Sequence, residues 1–480
     1  MRIPLATAAL ALALAVPVHA APILHVRADG SAVVRHDRHL PSTPDLGYAP
    51  FGGARASGAR LGRAAGGGRK VKKELRRARD AGEITVEQYR EWRATLREAQ
   101  RVRKVLTGAR RIQMAAQLAV LYTTAKTDRL SSSRMPALFL QLARNTEFWR
   151  TQPYPYSGQR VSFSGSKIVF QYYPGYGLQI QPLANFGKAN ALWRSGKEKK
   201  LRKLLDELVA IAARRGRFTT WEYWFHFGGG SPPWTSAMAQ GTAMQALSRG
   251  YELLGDETYL LTARRGIRAF TTPAPLGVRT AGRDGGKHYL IYSFSTGLRV
   301  LNAFAQTLNG LFDYATISGH ARALRLFDKG ERSLRAELAD YDTGAWSLYS
   351  LGGAEATTEY HGLASDFLGN LCDRLGPGTY CDAATRFELY EEESPRMKLR
   401  TRRLKKGNTQ YVRFDLSKRS TVQMTISRKG KVVYSASAYT AYGRRAFVWR
   451  PTRRGEHAVT LSATSFHGTQ GSEGGTITVR

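Results

Sequence analysis

The spacing of apolar residues changes several times along the chain, and each change predicts a different kind of element. Between residues 185 and 393 apolar positions recur every three or four residues. Helices are predicted near 185–194, 197–214, 235–254, 257–270, 298–318, 320–339, 358–372 and 382–392, separated by short Gly, Pro and Asp breaks. Many are apolar over one broad face, as helices stacked in a layer are. Antiparallel helix pairs repeated around an axis form an α/α toroid, complete or incomplete, whose loops at one end line a cleft. After residue 395 the period becomes two. Strands are predicted at 398–402, 409–415, 421–427, 431–436, 446–450, 457–463 and 475–479, with Arg428-Lys429-Gly430 as a hairpin turn. Short strands at this spacing predict an immunoglobulin-like β-sandwich over 395–480.

Upstream the pattern is weaker. Residues 71–158 are predicted to be helical, with Asp80-Ala81-Gly82-Glu83 as a break and Val105, Ile112, Ala115, Leu118 and Leu121 continuing one stripe. Val161-Ser162-Phe163 and Lys167-Ile168-Val169-Phe170-Gln171 have strand composition and form a short entry to a domain spanning 159–394. The loop Tyr172-Tyr173-Pro174-Gly175-Tyr176-Gly177 is crowded with rings, which suit either the face of a sugar or packing at a domain edge. Residues 21–70 lack periodicity and are rich in Gly, Arg, Pro and Ser, predicting a flexible basic arm. Residues 1–20 read as a secretory leader: Arg2, an apolar run from Leu5 to Val16, then Val18-His19-Ala20, with cleavage expected after Ala20. No later segment reaches the ~20 apolar residues of a membrane-spanning helix. The mature chain is therefore expected to be secreted or held at the cell surface by charge.

The formal net charge is +36 over 480 residues. That excess favours a polyanionic partner: acidic polysaccharide, anionic wall polymer, nucleic acid or anionic lipid. Export makes nucleic acid the least expected of these, and a homodimer is left open. The two cysteines, Cys372 and Cys381, flank a turn-rich segment, and in an exported chain they predict a local disulfide between two helices. No Cys-x-x-Cys or His-pair spacing accompanies them, so no metal is expected.

Three tyrosines stand in motif-like settings: Ile291-Tyr292-Ser293, Ser347-Leu348-Tyr349-Ser350-Leu351 and Thr358-Glu359-Tyr360-His361. A phenol moves a proton when its pKa of about 10 is lowered by its surroundings. The run Trp234-Thr235-Ser236-Ala237-Met238-Ala239-Gln240-Gly241 leads straight into a helix; close packing explains its small residues, while Gln240 needs hydrogen-bond partners if buried. Trp221-Glu222-Tyr223-Trp224 is either a sugar platform or a packed strand.

Together these blocks resemble the C-terminal catalytic region of the D-glucuronyl C5-epimerases, which convert glucuronic to iduronic acid in heparan-type chains. The Trp234–Gly241 run, Val300-Leu301-Asn302-Ala303-Phe304 with Leu308–Asp313, Leu338–Gly344 with Ser347-Leu348-Tyr349, and Glu359-Tyr360-His361 follow the family's order over roughly residues 215–390. The resemblance implies an α/α domain acting on uronate-containing polysaccharide without a dissociable cofactor, with Tyr292, Tyr349 and Tyr360 as catalytic residues. Trp234, Gln240, Asn302, His361, Lys287, Trp221, Glu222 and Tyr223 are the expected substrate contacts, with Arg283 and Arg299 as further cations for the uronate carboxylate.

The chain departs from the family pattern at three places. Leu290-Ile291 precede Tyr292 where the family has two glutamates, Gly352 stands where an arginine is expected, and Ala364 stands near the place of a second histidine. Glu222, Glu355 and Glu359 are candidates to supply the lost carboxylate. The departures keep two alternatives open: a uronate lyase on the same fold, and a non-catalytic binder of anionic cell-surface polysaccharide.

Overall fold

The computed structural model describes residues 21–41 and 67–480, so the leader and most of the expected arm lie outside the described residues. Residues 21–41 do not follow the arm expectation. Strands β1 (Ala21–Val26) and β2 (Ala32–Asp37) form an antiparallel hairpin in the register Ala21↔Asp37 to Val26↔Ala32. Ile23 and Val26 are buried, and Gly30 turns the chain at φ 83°. The Asp29-Gly30 turn between two Val-containing runs is the local cause; it is hidden when composition is averaged over the whole basic segment.

Helices α1 (Gly67–Asp80), α2 (Val86–Val105), α3 (Gly108–Lys126) and α4 (Met135–Thr151) follow. The expected stripe is buried only in its second half: Leu118 and Leu121 are buried, with Met114 beside them, whereas Val105 and Ile112 are exposed. The helix stops at Leu106-Thr107, so the phase set in α2 does not carry into α3. Strands β3 (Arg160–Phe163), β4 (Val169–Tyr173) and β5 (Gly177–Ile180) complete a five-stranded sheet in the order β2-β1-β3-β4-β5, with β1 and β3 parallel. β5 is its edge, and buried carboxamides from α3 and α4 occupy that edge. Gly177 N donates to Gln113 (2.9 Å), Leu178 N to Asn145 (2.8 Å) and Ile180 N to Gln141 (3.0 Å). Satisfying the edge in this way fixes the β4–β5 hairpin, which carries Tyr173.

Four helix pairs come next: α5 (Pro182–Arg194) with α6 (Glu198–Ala210), α7 (Ala237–Leu254) with α8 (Glu257–Gly266), α9 (Leu301–Ser318) with α10 (Ala321–Glu337), and α11 (Thr358–Leu375) with α12 (Thr379–Glu392). Two small hairpins sit between pairs: β6 (Ala213–Arg215) with β7 (Phe218–Thr220), and β8 (Arg279–Ala281) with β9 (Lys287–Tyr289). The odd-numbered helices α5, α7, α9 and α11 pack side by side as an inner layer, and each even-numbered helix lies behind its partner. α7 and α9 meet at Gly241 and Gly310, where a Cβ on Gly310 would lie 2.0 Å from the Gly241 carbonyl oxygen. Only glycine permits that approach, which accounts for Gly241 in the Trp234–Gly241 run. Cys372 and Cys381 are joined across the α11–α12 turn. No helix among the described residues is long and apolar enough to cross a membrane.

The remaining strands are β10 (Met397–Leu399), β11 (Arg403–Leu404), β12 (Gln410–Leu416), β13 (Ser420–Arg428), β14 (Lys431–Thr440), β15 (Gly443–Trp449), β16 (Gly455–Ser465) and β17 (Gln470–Val479). They form a three-stranded sheet, β10-β12-β15, and a five-stranded sheet, β11-β17-β16-β13-β14. Val412, Phe414, Val422, Met424, Phe447, Leu461 and Ile477 make a common core between them, with polar residues alternating outward. This unit docks on the segment after Tyr349. Glu355, fully buried, accepts hydrogen bonds from the Arg419 (2.8 Å) and Tyr442 (3.1 Å) amides, and Phe466 meets Trp346 edge-on at 4.7 Å.

Candidate active site

The inner helices enclose a cavity of about 550 Å3. α5 contributes Leu183, Gly187 and Asn190; α7 Met238, Thr242, Gln245 and Arg249; α9 Asn302, Gln306 and Asn309; α11 Tyr360, Leu363, Phe367, Asn370 and Arg374. These spacings of three and four put one stripe of each helix on the same axis. Neighbouring stripes are joined in parallel register: Asn190 donates to Gln245 (2.9 Å), Gln306 to Gln245 (3.2 Å), and Asn309 to the Phe367 carbonyl (2.9 Å). All four inner helices therefore begin at the same end of the cavity, with Leu183, Met238, Asn302 and Tyr360 in their first turns. Four helix N-termini give that end a positive potential.

The same end carries the phenols. Tyr360 is the third residue of α11, whose N-cap Thr357 accepts from its amide. Tyr292 lies on the loop after β9, stitched to the start of α7 by Ser293 N to the Thr235 carbonyl (2.9 Å) and Ala237 N to the Leu290 carbonyl (2.9 Å). Tyr349, 4% exposed, lies behind the surface. Its ring meets Tyr360 edge-on at 4.8 Å, and its hydroxyl is hydrogen-bonded with Tyr292. Burial pushes the Tyr292 phenol up, with Tyr360 adding to the rise and the Tyr349 hydrogen bond opposing it. Tyr292 therefore stays protonated. Burial likewise raises Tyr173 and Tyr223 at the same mouth.

Aromatic rings wall the mouth. Tyr223 stacks on Trp234 at 4.1 Å, Tyr173 on Phe225 at 4.3 Å, and Phe227 lies 5.3 Å from Tyr292. Arg160, at the start of β3, also lines the cavity and is only 5% exposed. One of its guanidinium nitrogens donates to the Pro41 carbonyl, while its Nε is buried without a partner among the described residues. Burial brings the Arg160 guanidinium down to about 10, opposed by Tyr173, Tyr156 and Asp37. A desolvated cation with an unused donor, beside a ring of neutral phenols, is built to receive an anion.

Trp234, Tyr223 and Asn302 line the cavity as expected substrate contacts would, and Ile291 lines it where the family has a glutamate. The other expected contacts are elsewhere. Gln240 donates to the Thr219 (2.9 Å) and Gly266 (3.3 Å) carbonyls, which answers its need for partners within the fold. Trp221 donates to the Leu208 carbonyl (2.7 Å) and packs against Phe186. Glu222 is buried between Arg134 and Arg215, each within 2.8 Å. Lys287 sits on β9 opposite Ala281, outside the lining.

His361 is fully buried and stacked on Trp346 at 3.6 Å. Its Nδ1 accepts from the Ser347 amide (3.2 Å), so Nε2 carries the proton and donates to the Phe387 carbonyl (2.8 Å). Burial lowers its pKa to about 4, leaving a neutral ring that holds the Tyr349 segment from behind and lies outside the cavity lining. The substitute carboxylates fare no better. Glu355 faces the β-sandwich side, where burial pushes it up, and Glu359 is exposed. Arg283 pairs with Asp340 (2.7 Å) and Arg299 with Glu337 (2.9 Å). Among the described residues no Asp or Glu lines the cavity.

Arg160, Tyr173, Gln171 and Gln181 are lining residues that sequence reasoning missed or left undecided. The one available signal was Arg160 itself, a charge at the head of a strand that also carries Val161 and Phe163.

Residues 215–388 match the family described as D-glucuronyl C5-epimerase C-terminus. The chain is 31% identical over 163 residues to an uncharacterised protein, MJ1128, of Methanocaldococcus jannaschii, covering 33% of this chain and 53% of that one. It is 32% identical over 132 residues to the D-glucuronyl C5-epimerase of Caenorhabditis elegans, covering 25% of this chain and 21% of that enzyme. The chain thus spans about half the length of the first relative and a fifth of the second. A crystal structure of an unsaturated glucuronyl hydrolase specific for heparin aligns over 79% of this chain and 92% of its own at 12% identity, with a TM-score of 0.29.

Proposed function

We propose, from the membership of residues 215–388 in the D-glucuronyl C5-epimerase family, that this chain inverts C5 of hexuronate residues in an acidic polysaccharide, D-glucuronate to L-iduronate, within an incomplete α/α toroid. The observation that carries the reading is that Tyr292 and Tyr360 meet on a cavity lined by phenols, carboxamides and arginines, with Tyr349 directly behind them and no carboxylate in the described lining. A hydrolase needs a pair of carboxylates across its cleft; proton abstraction beside a carboxylate does not.

The C5 hydrogen is acidic only in so far as the adjacent carboxylate can take up charge. Tyr360, in the first turn of α11 where the helix dipole favours an anion, acts as the phenolate base. The C5–H bond breaks, a proton passes to the Tyr360 oxygen, and the electron pair moves into the carboxylate to give a dianion. Arg160 meets that dianion, with the carboxamides of Gln171, Gln181 and Asn302 as further donors, in a site where water is scarce and charge interactions are strong. Tyr292, kept protonated by burial, returns a proton to C5 from the other face. The step is redox-neutral and needs no cofactor. The pair is reset when Tyr360 gives its proton to solvent and Tyr292 takes one from solvent, with Tyr349 hydrogen-bonded to Tyr292.

Action outside the cytoplasm fits the Cys372–Cys381 disulfide. The test is incubation with a glucuronate-containing polymer in deuterated water. Deuterium at C5 with both epimers present is the expected result. An unsaturated, ultraviolet-absorbing product means a lyase. No incorporation by folded protein, with polymer affinity unchanged after all three tyrosines become Phe, means a binder.

A further inference from the structure

The two outer faces of the β-sandwich differ in a way that net charge alone does not explain. The five-stranded sheet presents Thr421 and Gln423 of β13 beside Ser462 and Thr464 of β16 and, opposite Thr421, the exposed ring of Tyr439 on β14, with no cation among these positions. The three-stranded sheet presents Lys398, Arg413 and Arg444 around Tyr411 and Val448, which face each other across β12 and β15 and are 56% and 49% exposed. Asp415 pairs with Arg400 and Arg444 and holds both guanidinium groups at the face. The Arg413 guanidinium lies 5.6 Å from the centre of the Tyr411 ring and has no carboxylate partner among the described residues. An exposed ring on a flat sheet, flanked by cations oriented from within the sheet, matches an acidic sugar chain: the ring meets a sugar face and the cations meet carboxylates or sulfates.

The placement adds direction. β12 ends and β15 begins at the turns that carry Arg419 and Tyr442, whose amides hold Glu355. Glu355 directly follows Ala354, whose carbonyl accepts from the Tyr349 amide (2.9 Å). The Asp415–Arg444 end of the strip therefore abuts the segment bearing a proposed catalytic tyrosine. From there the strip runs along β12 to Tyr411, roughly 14 Å at strand rise.

We infer that the outer face of the β10-β12-β15 sheet is a second binding site for the acidic polysaccharide, which holds a stretch of the same chain whose uronate enters the tyrosine mouth. The inference rests on the proposed polysaccharide substrate, but its test reads binding without turnover.

The full chain is measured against a polymer of alternating glucuronate and N-acetylglucosamine, and against the tetrasaccharide of the same repeat. Two variants change net charge equally: Tyr411→Ala with Arg413→Glu on the basic face, and Thr421→Glu with Ser462→Glu on the neutral one. The first is expected to weaken polymer binding about tenfold, the second less than twofold, and neither to change C5 exchange on the tetrasaccharide. Arg413→Gln alone is the milder variant, expected to weaken binding about threefold if the double variant fails to fold. Equal weakening by both double variants means that only total charge matters and overturns the inference, as does unchanged binding in both. Loss of affinity for phosphatidylserine vesicles with polymer binding intact assigns the face to lipid and overturns it too. A chain that exchanges no deuterium yet loses polymer affinity only through the basic face leaves this site standing while the catalytic reading falls.

Discussion

The two ends of the cavity are lined by the same four helices and have opposite chemistry. The mouth collects helix N-termini, neutral phenols and the under-satisfied Arg160. The far end collects helix C-termini, and there Arg194, Arg249 and Arg374 offset the negative ends of the dipoles. Asp313 of α9 holds two of these cations: Arg249 at 2.7 Å, Arg374 at 2.7 and 2.9 Å, with Gln245 donating at 2.8 Å. Asp313, Arg249, Arg374 and Gln245 are thus paired with one another, and they bind α7, α9 and α11 together. The mouth keeps the Arg160 Nε donor without a partner among the described residues. One end is finished by folding and the other is left for a ligand, so substitutions at the two ends should separate rate from stability.

The largest effect is expected at the mouth. Tyr360→Phe and Tyr292→Phe each remove one proton carrier and little volume. C5 exchange should fall at least about a thousandfold in either variant, while the thermal midpoint changes little. A variant retaining a tenth of the parent rate would remove that tyrosine from the mechanism. At the far end the pattern inverts. Asp313→Asn leaves two largely buried arginines without their shared anion, and should cost about 4 kcal/mol of stability in denaturant titration. Below the shifted midpoint its exchange rate should stay within a few-fold of the parent. A rate loss as large as that of the tyrosine variants would mean the two ends are not separate.

Behind the mouth, His361 gives a pH test with a definite sign. Its folded pKa lies near 4, below the ordinary 6.5, because burial disfavours the imidazolium. The unfolded chain therefore binds a proton that the folded chain refuses as pH falls below about 6.5. Stability contributed by the neutral ring is complete above that pH and is lost towards pH 4, by about 3 kcal/mol. Thermal midpoints at pH 7 and pH 4, in the parent and in His361→Gln, check it. The parent should lose markedly more than the variant on acidification, and equal losses would remove His361 as the cause.

The helical repeat was legible because burial over one broad face forces apolar residues into a stripe of period 3.6, as in α7 and α9. The C-terminal strands were legible through alternation. Tyr292, Tyr349 and Tyr360 were legible as motifs. What each does was less so, because a motif names a residue without its environment: His361 directly follows Tyr360, and Gln240 stands in the Trp234–Gly241 run, yet both face the core. The carboxylates show why sequence distance misleads. Glu222 meets Arg134 across 88 positions of chain, and Glu355 meets amides beyond residue 418. Arg160 joins the tyrosines through the pairing of β3 with β4, a tertiary contact with no periodic signature.

Glu337, at the end of α10, ties the finished part of the fold to the unfinished mouth. It is fully buried and takes His288 Nδ1 at 3.2 Å, Arg299 at 2.9 Å and Ser333 at 2.7 Å. Burial pushes this carboxyl up, but His288, Ser333 and Arg299 together hold it below its ordinary value, while burial keeps the His288 ring neutral. His288 and Arg299 are the two feet of the loop that carries Tyr292. The Arg299 carbonyl also accepts from the Leu351 amide (2.9 Å), next to the Tyr349 segment. None of these partners lines the cavity, so any effect of Glu337 on the reaction is one of positioning. Glu337→Gln keeps the shape and a weaker pair with Arg299. The expected result is a loss of about tenfold in kcat with KM changed less than twofold, and about 1 kcal/mol of stability. Glu337→Asp, which restores the charge on a shorter arm, should recover part of the rate. A Glu337→Gln variant that loses stability but keeps the parent kcat would make Glu337 a fold residue alone, and the Tyr292 loop would then need no clamp.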